Sequence, residues 1–175
     1  MIRSHPNVYV IGRDNACPIL VGEMPDGNTV AMRQPLSFTI PATMEFGSWG
    51  GLEVLVPTGF MSDKASVPFG FRNLFPKHGK YTKAAFIHDF LYVIQRTPRW
   101  VADLVFLHAM RALGVPEWKA QIMYRAVRIG GWAPWRANAR MLVKFPVKFR
   151  LKYGLWFRSH LYRPQEHPRW GEVFD

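Results

Sequence analysis

The sequence has 175 residues and a single cysteine, Cys17. One thiol cannot close an intrachain disulfide, so a disulfide-stapled scaffold is excluded and folding needs no oxidising compartment. There is no run approaching the roughly 18 uninterrupted apolar residues of a membrane span. The opening MIRSHPNVYV has no long apolar stretch after Arg3, so no signal peptide is expected. Acid is scarce in one region. Between Leu104 and Gln165 the only acid is Glu117, against twelve Lys and Arg. That stretch carries the whole net charge of +11, because the other residues hold eleven bases and eleven acids. Such a surface must meet something anionic or repel itself. Nucleic acid, an anionic membrane and an acidic protein partner all meet that requirement.

What is present suits a globular chain. The hydrophobic fraction of 49% supports a real core, and the aromatic fraction of 15% suggests dense packing or much interface area. No internal repeat or low-complexity tract appears. Residues 1–60 read as β and turn, with strands at Asn7–Ile11, Thr29–Met32, Leu36–Ile40 and Leu52–Val56 and a turn at Pro25–Asn28. Residues 57–80 hold three Pro and three Gly, yet also several Phe, so an ordered, packed loop is expected.

Helices follow. Thr82 is a candidate cap for the first, which should run to about Arg96. Thr97-Pro98 predicts an N-cap with Pro at the first helical position of a second. Gly114 is a natural stop for the second helix. Pro116 starts a third that Gly130-Gly131 ends, and Trp132–Leu142 is a weaker fourth. In KFPVKFRLK, Phe145, Val147, Phe149 and Leu151 alternate with Pro and bases, which suggests a strand with one basic face. The expected class is α+β: a small N-terminal sheet, a packed loop, an antiparallel helical core of three to four helices and an extended basic arm. In domain terms this is one unit over 1–143 (β-rich 1–60, loop 57–80, helices 81–142) and an arm over 144–175.

One constellation points to chemistry. His88 and Tyr92 are four apart and share a helix face, while Asp89 is turned about 100° from His88. Asp103 is the only acid in VADLVFLHAMRAL, and apolar residues flank it. A carboxylate in such a setting needs partners. A short connection at Thr97-Pro98 makes the two helices antiparallel neighbours, so Asp103 can reach His88 and fix its tautomer. Tyr92 can donate to the same carboxylate. A base held by a buried carboxylate is the orienting logic of hydrolytic sites.

His-Asp-x-x-Tyr on one helix, with an Asp and a Phe three residues later on the next, resembles the secreted phospholipase A2 site over residues 81–113. The resemblance implies His88 as the base that activates water, Asp89 as a calcium ligand, and Tyr92 and Asp103 as the network behind the His. Calcium would polarise the ester carbonyl. The family's Cys-Gly-x-Gly-Gly loop and its disulfides have no counterpart here. A second resemblance covers residues 54–131. VPTGFMSDKASVPFGF, GKYTKAAFIHDFLY, the AD-x-x-F helix and MYRAVRIGG are similar to a family of unknown function common in bacteriophages and prophages. It implies a protein made in the host cytoplasm and a possible place in the virion. In its Gly-Phe-x-Ser/Thr-Asp-x-Ala-Ser-x-Pro motif, Asp63 is a candidate second metal ligand. Ser62, Asp63 and Ser66 also suit a plain turn.

Rival readings stand beside these. The His-Asp-Tyr-Asp group also suits a buried network that fixes helix packing. His-Asp metal phosphohydrolases need an upstream helical His, and His78 lies in a Pro/Gly loop. His108 reads as a partly buried helix residue. His5, His160 and His167 have no visible partner, and Cys17 lacks a neighbouring base. The aromatic, basic C-terminal stretch suits nucleotide stacking, a membrane interface or docking on neighbours in a large assembly. Three functions fit these features: a calcium-dependent, phospholipase-A2-like ester hydrolase at anionic membrane, a tail or baseplate component that binds phage structural proteins, and a nucleic-acid-binding phage protein.

Overall fold

A computed structural model describes residues 8–11, 19–23, 29–63, 81–146, 148, 152–153 and 161–162. Its elements are β1 Val8–Ile11, β2 Ile19–Glu23, β3 Thr29–Met32, β4 Leu36–Thr39, β5 Glu53–Val56, β6 Met61–Asp63, α1 Thr82–Ile94, α2 Arg99–Ala112, α3 Glu117–Gly130, α4 Trp132–Lys144 and β7 Leu161–Tyr162. This is an α+β arrangement: small antiparallel strands, then four helices.

The strands form two sheets, where a single one was expected. One runs β1-β2-β3-β6 and the other β4-β5-β7. All their pairings are antiparallel. Three strands lie outside the expected set. β2 was not anticipated. β6 falls inside the stretch read as loop, where Val30 pairs with Ser62 and Ala31 with Met61. β7 brings the C-terminal region back onto β5, with Val54 opposite Leu161. The alternation over 145–152 does not give strand backbone at its described residues. Pro146, Lys148 and Lys152 have helical backbone, because α4 reaches Lys144 and helical geometry resumes just beyond it. The Pro25–Asn28 turn, residues 64–80 and the ends of the chain lie outside the described residues.

Helix boundaries fall within a residue or two of expectation, but the caps differ. α1 is preceded by Tyr81 and α2 by Pro98, neither with a side-chain cap bond. Thr97 Oγ1 is buried and has no hydrogen-bond partner among the described residues. α1 ends on Gln95 in the left-handed region (φ 49°). Its Nε2 donates to the Trp135 carbonyl at 2.7 Å, so the residue that breaks α1 also ties it to α4. Gly114 follows α2 at φ +69°, as its position after the last turn predicts.

The core lies where α1 and α2 meet the strands. Met32, Ile40, Phe46, Val54, Val56, Phe60, Phe90, Leu91 and Met110 are fully buried. Phe60 meets Phe90 edge-on at 5.3 Å and stacks on Tyr153 at 6.5 Å. The Met61 amide donates to the Tyr153 carbonyl at 3.0 Å, which anchors the region after α4 to the start of β6. α1 is buried on almost every side, since the strands, α2 and α4 all pack on it.

Candidate functional site

The site is a carboxylate hub. Asp103 sits in the middle of α2 with zero exposure. A buried charge of this kind is tolerated only when fully hydrogen-bonded. His88 Nε2 lies 3.1 Å and the Tyr92 hydroxyl 2.6 Å from Oδ1. On Oδ2, Arg99 donates at 3.1 Å and Arg128 at 2.8 Å. Four donors from α1, α2 and α3 thus converge on one carboxylate.

Local sequence explains each placement. His88 and Tyr92 are one turn apart on α1, their rings 4.2 Å apart between centroids, and Phe106 of α2 lies 4.9 Å from the imidazole. The connection 95–98 is too short for anything but an antiparallel return, which sets α2 against α1. Arg99 is one turn before Asp103 on α2 and also donates to the Arg128 carbonyl at 3.1 Å, near the end of α3 where unpaired carbonyls gather. On the far side, Asn138 Nδ2 donates to the Tyr92 carbonyl at 3.1 Å and Trp135 packs edge-on against the Tyr92 ring at 5.0 Å.

The electrostatics follow from this geometry. Burial disfavours the ionised Asp103, but the bonds from His88, Tyr92 and Arg128 outweigh it and hold the carboxyl below its ordinary value. Burial likewise disfavours the charged His88 ring. The Asp103 bond and the nearby Asp89 carboxylate outweigh it, so the imidazole titrates above its ordinary value. Burial and the Asp103 charge push the Tyr92 hydroxyl up, so it stays a donor. An ionised Asp103 accepts from Nε2–H, which leaves Nδ1 as the lone-pair nitrogen of the neutral ring.

Nδ1 lies on the Asp89 side. Asp89 Oδ1 is 3.9 Å from it, beyond hydrogen-bond distance. Its Oδ2 accepts from Ser62 Oγ at 2.5 Å, so β6 and α1 are joined beside the imidazole. Ser62, expected only as a turn former, is therefore part of the site. Asp63 ends β6 opposite Thr29, and its side chain lies outside the described residues, as do Ser66, Phe69, His78 and Cys17. His108 does sit partly buried on α2, near Glu45 at 3.5 Å and edge-on to Phe46.

Calcium takes six to eight oxygens. Beside His88 the described residues offer the Asp89 carboxylate and the Ser62 hydroxyl, and no group of three or more His, Cys, Asp or Glu among them could hold a metal ion. The described donor set alone does not fit calcium.

Sequence reasoning brought His88, Tyr92 and Asp103 together, and the structure does the same. It missed both arginines: Arg128 was counted only among the twelve bases of the C-terminal part, and Arg99 was not singled out. The spacing of Arg99, four residues before the lone acid of an apolar helix, was the available signal.

Fold and site together define a small α+β protein built around a buried, multiply bonded carboxylate. Residues 39–127 match the family described as "Protein of unknown function (DUF1353)", and the chain belongs to that family. It is also similar to "Uncharacterized protein y4jT" of Sinorhizobium fredii (strain NBRC 101917 / NGR234), with 38% identity over 113 residues. That alignment covers 63% of this chain and 33% of the relative, so the chain spans about a third of that relative's length. No solved structure matches the chain.

Proposed function

We propose that this chain is a water-activating hydrolase of carboxylic esters, lipid esters first, with His88 as general base. The observation that carries the reading is the Nε2 bond to a fully buried Asp103, which leaves Nδ1 as the lone pair on the Asp89 side. In the reaction, Nδ1 takes a proton from water as its oxygen attacks the ester carbonyl. Asp103 stabilises the imidazolium that forms. The proton then passes to the leaving alkoxide as the ester C–O bond breaks, which gives acid and alcohol. Tyr92 and the two arginines keep Asp103 ionised and in place. Asp89 and Asp63 remain the pair to test for calcium. The deciding assay is fatty-acid release from phospholipid vesicles by the wild type and by His88→Ala, with chelator and with each of several divalent cations. Release lost in His88→Ala supports the reading. No release by the wild type under any condition overturns it.

A second reading rests on Arg99 and Arg128. They satisfy Asp103 Oδ2 without any substrate, so the hub also serves as a brace joining three helices. On this reading the chain is a non-catalytic tail or baseplate component, made in the host cytoplasm and carried in the particle, as the resemblance of its motifs to a phage and prophage family implies. Stoichiometric recovery from purified particles, with His88→Ala particles fully infectious, would favour it. Absence from particles would count against it.

A further inference from the structure

α4 has one face on the body and one with no partner among the described residues. Trp135, Asn138 and Leu142 face inward, where Asn138 bonds the Tyr92 carbonyl. The exposed positions of α4 are apolar or basic and nothing else. Trp132, Arg136, Arg140 and Val143 follow at helical spacing along one side, with Lys144 beside them. Trp132 is 55% and Val143 85% exposed. The Arg136 guanidinium lies over the Trp132 ring at 5.5 Å. The exposed face carries no acid, no amide and no hydroxyl side chain, since the helix's one amide, Asn138, points inward. The exposed Ile129 just before it and Phe145 just after extend the apolar element at either end.

We propose that this face of α4 docks on an anionic lipid bilayer, lying in the plane of the interface. Tryptophan with arginine and lysine on one helix face is the composition that sits at headgroup level, where the rings enter the acyl boundary and the cations meet lipid phosphates. Charge complementarity points the same way, since the twelve-to-one excess of bases lies in the region that contains α4. Exposed Val143 and Ile129 favour a bilayer over nucleic acid, which offers no apolar phase for an aliphatic side chain. No helix among the described residues is long and apolar enough to cross a membrane, so the contact is peripheral. The docking does not depend on His88, and it is read without turnover.

The test is flotation of the full chain with vesicles of phosphatidylcholine alone and of phosphatidylcholine with phosphatidylglycerol as the minor lipid. The wild type should float only with the anionic vesicles, and less as salt rises. Arg136→Glu with Arg140→Glu should weaken binding at least about ten-fold, and Val143→Asp about five-fold, with unchanged thermal midpoints because all three positions are exposed. Three results overturn the proposal: no flotation with anionic vesicles, equal flotation on phosphatidylcholine alone, or variants that float like the wild type. Binding of a duplex oligonucleotide that is lost in the arginine variants, without vesicle binding, would assign the face to nucleic acid instead.

Discussion

The Tyr92 hydroxyl stands where a side chain on Gly131 would begin. A Cβ at Gly131 would lie 2.3 Å from that oxygen and 2.4 Å from the Val127 carbonyl. The absent side chain at the α3–α4 junction is what lets the phenol reach Asp103.

Gly131→Ala is therefore expected to lower stability by about 1–3 kcal/mol through overpacking. Tyr92→Phe in the same chain should return only part of the loss, because the Val127 carbonyl still obstructs. A double-mutant cycle by urea denaturation measures this, and simple additivity would refute the packing account.

Asp103→Asn keeps the shape of the side chain and removes the charge that two guanidiniums and an imidazole share. The expected loss is about 3–5 kcal/mol, the range for breaking a buried ion pair from one side. Equilibrium denaturation checks it, and a loss below about 1 kcal/mol would mean the hub is dispensable to the fold.

The two titrating groups give stability a defined pH window. His88 is raised in the folded state, so its contribution is complete below its ordinary value of 6.5 and is lost as pH rises through the higher folded value. Asp103 is lowered, so its contribution is complete above 3.8 and is lost as pH falls through the lower folded value. Stability from this pair should be greatest between those limits. His88→Gln should flatten the alkaline side of the profile in denaturation runs across pH.

If His88 is the base, the neutral ring is the active form. Hydrolysis should then rise with pH through a midpoint above 6.5, the ordinary value of the imidazole. A pH–rate profile reads this directly. A midpoint below the ordinary value would remove His88 from that role.

Phe60→Ala should cost about 3–5 kcal/mol, since the ring is fully buried between Phe90 and Tyr153. The thermal midpoint measures it, and a small effect would show that Tyr153 refills the space.

The helices were legible because Pro and Gly punctuate them: Pro98, Gly114, Pro116 and Gly131 all stand at helix ends. Asp103 stood out as a lone acid in an apolar helix, which forces partners on physical grounds. β6 and β7 were not legible. They are three and two residues long, too short for an alternation to register, and their pairing depends on strands far away in sequence. The alternation over 145–152 misled because apolar and basic residues in turn also fit helical backbone, which Pro146, Lys148 and Lys152 adopt with exposed side chains. Arg99 and Arg128 were hidden by their own abundance. Among twenty-three bases, only its place four residues before Asp103 marks Arg99, and nothing local marks Arg128, whose partner lies on a neighbouring helix.

β7 sets an order on folding. Val54 meets Leu161 across more than a hundred residues of chain, so this edge of β5 stays without β7 until residue 161 has emerged. Helix pairs such as α1 and α2 close on their neighbours early, while this ladder is non-local and slow to form. During synthesis the open flank of β5 is a template for foreign strands. A nascent chain stalled before residue 161 should therefore be the aggregation-prone species, even with every helix in place.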